Sequence, residues 1–342
     1  MSIASAVNAS GVRVDPASGP AQPLSGVDQR TLAASFIECR GITRERARNF
    51  YYGLRLTPEP RRSALYAIYA WMRAADDAAD GEAGGDLAEQ RRALAAFRET
   101  TERVLRGELP TGTAAGFWPA FAATVARYGI DHGIFEDVFR GLEEDMDHRG
   151  YATDADLSRY CYRVASTVGL ACLAVWGLRP GVDEAVARDL AVRRGQAFQR
   201  TNILRDFAQD YDSRPRRVYL PMDAFARHGI SPEDLREWRN PEACRRLVAE
   251  QAAIAREHYR ASAPLDGMID PACRPTLWAM TRIYSGLLAV IEGNPARIVA
   301  RRRIRLPSTR KALIALRAAI AGRRASAEAE AANARSSGRD GW

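Results

Sequence analysis

The feature that most restricts how this chain folds is a helical pattern of apolar residues that begins near Gln29 and continues to residue 322. Apolar side chains recur at intervals of three and four, and no stretch shows the apolar–polar alternation of a half-buried strand. Alanine, leucine and arginine dominate, whereas runs of β-branched residues are scarce, which favours helices. The pattern therefore predicts an all-α protein.

Proline and glycine divide this pattern into segments. "TPEP" before residue 61 and "GEAGGD" after residue 80 bound one helix, because Pro favours helix starts and Gly favours helix ends. Helices are predicted at residues 61–80, 86–107, 117–128, 131–148, 155–177, 183–211, 241–262, 271–293 and 308–322. Composition predicts a disordered segment at residues 1–27, a single domain at residues 28–322 and a flexible tail at residues 323–342.

Composition and charge narrow the functional class. The 46% hydrophobic fraction permits a sizeable core, and the net charge of +8 suits nucleic acid, an anionic membrane or a phosphate-bearing substrate. An arginine-rich proteome explains the charge equally well, because Lys311 is the single lysine. Five scattered cysteines without a CxxC pair predict buried, reduced thiols rather than a zinc site. No signal peptide or membrane-spanning run is evident, which predicts a cytoplasmic protein.

Two predicted helices each carry a pair of aspartates four residues apart. Asp76 and Asp80 share one helical face, where like charges repel unless a cation is near. More than a hundred residues later, spacings of three, four and four form a second polar stripe on a mostly apolar helix, made of Gln199, Asn202, Asp206 and Asp210. A lone pair of this kind is usually a solvated face, but two pairs with apolar flanks favour a shared site.

Four carboxylates that face one another across a cavity require cations. Hard oxygen ligands suit Mg²⁺ bridged to substrate phosphates. A third acidic stretch, "GLEEDMD" at residues 141–147, either adds Glu144 or Asp145 to this cluster or is an exposed helix end.

Five segments of the chain, from about Phe50 to Arg317, resemble the squalene/phytoene synthase family, whose members join two prenyl diphosphates head to head. The segments are "RNFYYGLRLTPEPRRSALYAIYAWMRAADDAAD", "YCYRVASTVG" at 160–169, "QRTNILRDFAQD" at 199–210, "RRVYLP" at 216–221 and "RRRIRLPSTRKALIALR". The resemblance implies a single-domain class I isoprenoid synthase, which is a helical bundle around a central cavity.

The resemblance also implies roles for individual residues. The implied metal is Mg²⁺, with Mn²⁺ as an alternative, and its ligands are Asp76, Asp80, Asn202, Asp206 and Asp210. The implied substrate-binding residues are Arg48, Tyr51, Arg73, Gln199, Asn202, Arg205, Arg217 and Tyr219. The implied catalytic residues are Tyr160, Arg73, Asp76 and Asp206. One departure lies before "FYY", where members often carry His and Ser and this chain has "RARN".

The implied reaction joins two farnesyl or geranylgeranyl diphosphates through a cyclopropylcarbinyl diphosphate. It ends at presqualene diphosphate, squalene, dehydrosqualene or phytoene, with NADPH as hydride donor only in members that reduce the intermediate. The C-terminal block looks closer to bacterial presqualene-type members, which favours the C15 substrate. A terpene cyclase or another class I prenyl transferase is the alternative. A non-catalytic helical subunit that binds a partner or nucleic acid is disfavoured, because the acidic faces would repel a phosphate backbone.

Three further predictions concern packing and surfaces. Cavity depth is assigned to Met72, Leu170 and Leu173, whereas the aromatic side chains of Trp71, Phe198 and Trp176 are interpreted as ordinary core. The segment 310–324 is either a basic amphipathic contact with the inner face of a membrane or a helix packed on the core. No oligomeric state is predicted.

Overall fold

The structure is a computed structural model that describes residues 27–47, 49–80, 86–110 and 115–321, without the side chains of residues 49, 50 and 52. The predicted disordered segment up to residue 26, the predicted tail at 323–342 and the predicted substrate ligand Arg48 therefore lie outside the described residues.

Helices account for the regular structure of these residues, and the all-α prediction is confirmed. The only β pairing in the described ranges is an isolated bridge between Leu178 and Ile269. The α-helices are α1 (Gln29–Arg46), α2 (Asn49–Leu54), α3 (Arg61–Asp80), α4 (Leu87–Leu105), α5 (Trp118–Tyr128), α6 (Gly133–Met146), α7 (Asp154–Cys161), α8 (Thr167–Trp176), α9 (Glu184–Asp212), α10 (Met222–His228), α11 (Pro232–Glu237), α12 (Pro241–Ala261), α13 (Leu265–Met268), α14 (Arg274–Gly293) and α15 (308–321). A π-helical segment, Tyr162–Ser166, joins α7 to α8, and a 3₁₀ turn, Pro295–Val299, follows α14.

A first hydrophobic core surrounds α3. Trp71 is fully buried and contacts four phenylalanine rings, from Phe97, Phe121, Phe135 and Phe139, with ring centroids 4.8–5.9 Å away. Such large apolar rings contribute most of the burial energy in a core. The interpretation of Trp71 as core is therefore correct, and α3 is held rigidly against α4, α5 and α6.

A second hydrophobic core surrounds the C-terminal half of α9, and its fully buried members include Leu204, Leu235, Leu247 and Leu288. Asp183 precedes helix α9, and its side chain caps the helix by accepting hydrogen bonds from the backbone N–H groups of Ala185 and Val186. Its 29 residues contribute to both cores, so α9 connects the two halves of the molecule. All five cysteines are buried and unpaired, as predicted.

The π-helical segment passes between α6 and α9 at two glycines. A Cβ atom at Gly195 would lie 2.5 Å from the Ser166 Cα, and one at Gly141 would lie 2.8 Å from Val164 Cγ1. Only glycine permits this approach, because any larger side chain would displace the neighbouring helix. The segment is thereby fixed in place next to the cavity described below.

Candidate active site

An apolar cavity of ≈ 190 Å³ lies between the two cores, in agreement with the predicted central cavity. Its walls come from α3, the π-helical segment with α8, α9 and α14, and the side chains include Ile68, Met72, Val168, Cys172, Phe198, Met280 and Tyr284. Trp176 is a buried member of the first core, as interpreted, and Phe198 packs against both cores, but both side chains also line the cavity. A helix exposes both a core face and a cavity face, and the sequence does not distinguish them.

The prediction of which side chains set the cavity depth is only partly correct. Met72 lines the cavity, but Leu170 and Leu173 are buried in the first core and are not among the lining residues. On the same helix, Gly169 and Cys172 face the cavity instead. The π-helical segment precedes this stretch, so helical phase could not be extrapolated across it.

The two predicted aspartate pairs follow the cavity walls in the same direction. On α3, Asp76 lies one turn beyond the lining residue Met72. On α9, Asp206 lies one turn beyond the lining residue Asn202. The carboxylate of Asp145 is close enough to raise the pKa of both Asp76 and Asp210, so both pairs lie at one end of the cavity, which we call the mouth and define by Asp76, Asp80, Asp206 and Asp210.

The carboxylates at the mouth raise one another's pKa values. Desolvation, together with the carboxylates of Asp80 and Asp77, raises the pKa of Asp76 to about 6, although solvent reaches 51% of that side chain and moderates the effect. Burial and the carboxylates of Asp206 and Asp145 raise the pKa of Asp210 to about 7. Asp145 acts on residues of both α3 and α9, so the two pairs converge around it.

Asp206 is held by two arginines instead. Arg303 donates two hydrogen bonds of 2.7 Å to its carboxylate, and Arg205 Nε donates another of 2.8 Å. Burial alone would raise the pKa of Asp206, but these two guanidinium groups outweigh it and lower the pKa below its ordinary value. Arg205 was predicted from the sequence, whereas Arg303 was missed because it comes from a segment 97 residues further along the chain.

Arg73 lies beside the first pair. Its guanidinium group forms an ion pair with Asp77 and approaches Asp76 at 3.9 Å, while its Nε is buried without a partner in the described part of the chain. Arg46 also bonds Asp77, at 2.9 Å. Asp80 is exposed at the end of α3, where its backbone carbonyl accepts a hydrogen bond from Gln90.

Asp145 anchors an aromatic cluster at the mouth. Tyr219 donates a 2.6 Å hydrogen bond to Asp145 Oδ1, and Tyr160 donates one of 3.3 Å to the same atom. The two tyrosine rings stack with centroids 5.3 Å apart. Arg217 approaches the other carboxylate oxygen at 3.5 Å. Of the two open interpretations of the "GLEEDMD" stretch, the structure therefore favours the one that brings Asp145 to the acidic cluster.

The side chains of Tyr151 and His148 pack next to this aromatic cluster. Tyr151 packs against Tyr160 with centroids 5.3 Å apart, and the backbone N–H of Val218 donates a 3.1 Å hydrogen bond to His148 Nε2. Burial lowers the pKa of His148, which agrees with a neutral ring that accepts this bond. Burial and neighbouring acids raise the pKa of Tyr160 well above its ordinary value, so its hydroxyl keeps its proton.

The remaining predicted residues are divided between the cavity and its surroundings. Gln199 and Asn202 line the cavity near the mouth, and Asn202 donates a 3.4 Å hydrogen bond to Gln199 Oε1. Tyr51 instead stacks on Tyr66 with centroids 5.7 Å apart and is not among the lining residues.

A cation would find suitable ligands at the mouth, although no three His, Cys, Asp or Glu side chains are grouped as a preformed metal site within the described ranges. Asp76 and Asp210 carry raised pKa values because other carboxylates are near, which indicates excess negative charge. Asn202 Oδ1 is buried and accepts no hydrogen bond from any described residue. Oxygen donors of this kind fit Mg²⁺.

A deep apolar cavity with carboxylates and guanidinium groups at one end defines a class of all-α enzyme that binds a long apolar chain by an anionic head group. The sequence matches the profile of the squalene/phytoene synthase family over residues 43–310, and the chain belongs to that family. It is therefore a prenyltransferase.

Individual relatives support this membership. The chain is 33% identical over 300 residues to the 15-cis-phytoene synthase of Synechococcus elongatus, covering 85% of this chain and 94% of that protein. It is 35% identical over 267 residues to the chloroplastic phytoene synthase 1 of Arabidopsis thaliana, covering 77% of this chain and 61% of that protein.

Solved structures share the fold. A squalene synthase, HpnC, from Alicyclobacillus acidocaldarius aligns with a TM-score of 0.68 at 26% identity, over 79% of this chain and 97% of that one. A dehydrosqualene synthase solved with a ligand aligns with a TM-score of 0.71 at 24% identity, over 84% of this chain and 96% of that one.

Proposed function

We propose that this prenyltransferase condenses two C20 prenyl diphosphates head to head to give phytoene. The relatives described above are named phytoene synthases, which favours the C20 substrate over the C15 substrate expected from the C-terminal block. A cyclase or a non-catalytic subunit gains no support from these relatives. Phytoene forms by proton loss from the final carbocation, so the proposal does not include NADPH.

The observation that carries the proposal is the cavity wall that leads to the acidic and basic groups of the mouth. Ala191 and Asn202 are the first and last residues of α9 that line the cavity, and Asp206 follows Asn202 by one turn. At 1.5 Å per residue, the lining part of α9 is roughly 16 Å long. A prenyl tail can therefore lie along this wall with its diphosphate at the mouth, and the choice of C20 over C15 rests on the relatives.

Charged groups at the mouth would hold the diphosphates. Arg73 and Arg217 each carry a buried Nε with no partner among the described residues, and Arg205 and Arg303 converge on Asp206. Guanidinium groups that are already in place stabilise the negative charge that develops as the carbon–oxygen bond breaks. The four arginines are therefore assigned to binding and ionising the diphosphates.

The acidic residues of the mouth would hold Mg²⁺. We assign Asp76, Asp80, Asn202, Asp206 and Asp210 as its ligands, with Mn²⁺ as a substitute. When bound, the cation neutralises diphosphate oxygens and makes the diphosphate a better leaving group. Arg303 would then exchange its contact with Asp206 for one with the anion.

Aromatic groups would protect the cationic intermediates. Phe198 and Tyr284 stack with centroids 4.7 Å apart on the cavity wall, and Tyr160 and Tyr219 stack at the mouth. The negative faces of such rings stabilise a carbocation, and the apolar wall excludes the water that would quench it. Because Tyr160 keeps its proton, we assign it to orienting the intermediate and not to acting as an anion.

Product analysis with purified protein tests this proposal. With Mg²⁺ and geranylgeranyl diphosphate we expect phytoene, with the same yield when NADPH is added and none after chelation of the metal. Farnesyl diphosphate in place of the C20 substrate should be consumed more slowly. Faster consumption of the C15 substrate, with presqualene diphosphate or squalene as product, would contradict the C20 assignment and leave the family membership intact.

A further inference from the structure

We propose that α15 and the arginine segment before it, residues 297–305, form a docking surface for an anionic lipid bilayer beside the mouth of the cavity. No helix in the described ranges is long and apolar enough to cross a membrane. The proposed contact is peripheral, with the helix axis parallel to the bilayer surface.

Helix α15 carries an exposed apolar stripe. Leu313, Leu316 and Ile320 keep 47%, 59% and 45% of their surface exposed. At 3.6 residues per turn these three side chains fall within roughly 60° of one another. Three of the seven large hydrophobic side chains that are exposed in the described part of the chain thus lie on this helix.

The opposite side of α15 faces the second core. Ile314 and Ala318 are 8% and 0% exposed and belong to the second hydrophobic core. Of the two interpretations of the segment 310–324, packing on the core is thus met by this face of the helix. The helix is fixed to the protein through one face, so the exposed stripe is not needed for its own attachment.

Positive charge surrounds the stripe. Between residues 293 and 321 the chain has eight Arg or Lys residues and no Asp or Glu. Arg301, Arg302 and Arg305 are exposed and form no ion pair with any described residue, and Arg310 and Arg317 are exposed on α15 itself. Cations beside an exposed apolar stripe are the pattern of helices that lie in the head-group region of anionic membranes.

The surface adjoins the mouth. Arg303 belongs to the same segment and donates two hydrogen bonds of 2.7 Å to Asp206. An opening at this position would exchange apolar molecules with the bilayer without passing them through water. This consequence depends on the proposed function, whose product is a hydrocarbon, but binding to the bilayer does not.

Nucleic acid is the competing partner for a basic surface. Phosphate backbones are bound through cations and salt-sensitive contacts alone, and they gain little from exposed leucine and isoleucine side chains. A bilayer uses both features, so the apolar stripe distinguishes the two partners and defines the test.

The test is flotation of the full chain with vesicles of phosphatidylglycerol and phosphatidylcholine, compared with phosphatidylcholine alone. The test variant carries Leu313→Ser, Leu316→Ser and Ile320→Ser. The matched control carries Ile37→Ser, Leu87→Ser and Val186→Ser, which alter three similarly exposed apolar residues on α1, α4 and α9. A third variant replaces Arg301, Arg302 and Arg305 by Gln, and a DNA duplex is titrated in parallel.

We expect the wild type and the control to bind anionic vesicles equally, and both the stripe variant and the arginine variant to lose affinity by about tenfold or more. Thermal midpoints and turnover of detergent-dispersed substrate should stay unchanged in the stripe variant. Equal loss in the control, or binding of DNA but not of vesicles, would overturn the proposal. Absence of phytoene with normal flotation would count against the proposed function only, so the two failures are distinguishable.

Discussion

Asp206 and Asp210 lie one turn apart on α9, yet the pKa values of their carboxyl groups shift in opposite directions. Arg205 and Arg303 lower the pKa of Asp206, whereas burial and the neighbouring carboxylates Asp206 and Asp145 raise the pKa of Asp210 to about 7. The two guanidinium groups thus neutralise Asp206. A bound cation would reduce the repulsion that the neighbouring carboxylates exert on Asp210.

Asp206→Asn is expected to lower kcat/KM by about two orders of magnitude, because it removes charge from the centre of the mouth. The thermal midpoint should fall by a few degrees, since Arg205 and Arg303 lose their carboxylate partner. Asp212→Asn is the control on the same helix, because Asp212 pairs with Arg236 at the surface. Steady-state kinetics of both variants test this; near-normal turnover of Asp206→Asn would remove it from the catalytic set.

Asp210 should make the metal-free protein less stable as the pH rises. Its pKa is 3.8 in a free side chain and about 7 in the fold, so the folded state binds more protons between these values. The free energy of unfolding then falls from about pH 4 to about pH 7 and is constant above. Asp210→Asn should melt at a higher temperature than the wild type at pH 8, and the difference should vanish near pH 4.

Asp212→Asn again provides the control, and its melting temperature is expected to shift in the opposite direction. Hydrogen bonds from Arg236 lower the pKa of Asp212, so removing this carboxylate should slightly destabilise the protein at pH 8. Melting curves in chelator across this pH range measure both effects. A shift of the two midpoints in the same direction would contradict the assignment for Asp210.

At the scale of elements, the contact between the π-helical segment and α9 determines the shape of the cavity wall. Gly195→Ala places a methyl group against the Ser166 backbone, and overpacking of this kind costs about 1–3 kcal/mol. Gly41→Ala, in the middle of α1 with no atom within 4 Å of the new Cβ, should instead stabilise by about 0.5–1 kcal/mol. Denaturant titration of both variants separates local crowding from general helix propensity.

The sequence predicts elements well where local chemistry terminates them. Helix α3 has the predicted bounds because Pro precedes it and a glycine-rich stretch follows. Helices α10 and α11 were missed, since seven and six residues are too few to show a period. The π-helical segment was read as continuous α-helix, because its hydrogen-bond register depends on packing between Gly141 and Gly195.

In the candidate site, too, the features that depend on neighbouring residues in the sequence were predicted, and those that depend on tertiary packing were not. The aspartate pairs and the Gln199–Asn202 stripe were evident because their partners lie one turn away in sequence. Arg303 was not, since nothing local indicates that it reaches Asp206. Asp145 stands in a stretch of several acids, and only its contacts with Tyr160, Arg217 and Tyr219 distinguish it.

For the whole molecule, the cavity separates two cores that α9 connects, so a bound substrate should stabilise both halves together. With Mg²⁺ and an unreactive C20 diphosphate analogue at about 100 times its Kd, we expect roughly 2.7 kcal/mol of stabilisation and a rise of several degrees in Tm. Inorganic diphosphate with Mg²⁺ should give a smaller rise, because it leaves the apolar wall empty. Equal shifts would show that the tail does not occupy the cavity.

Chemical modification offers a separate view of the mouth, because its cationic side chains, Arg73, Arg205, Arg217 and Arg303, are all guanidinium groups. These keep their charge at every pH at which a protein survives. Reagents that condense with guanidinium groups should inactivate the enzyme unless a diphosphate shields the mouth. Acylating reagents, in contrast, can modify a single lysine side chain, that of Lys311. Because it lies on α15, a fluorophore attached there would report on that helix and leave the chemistry untouched.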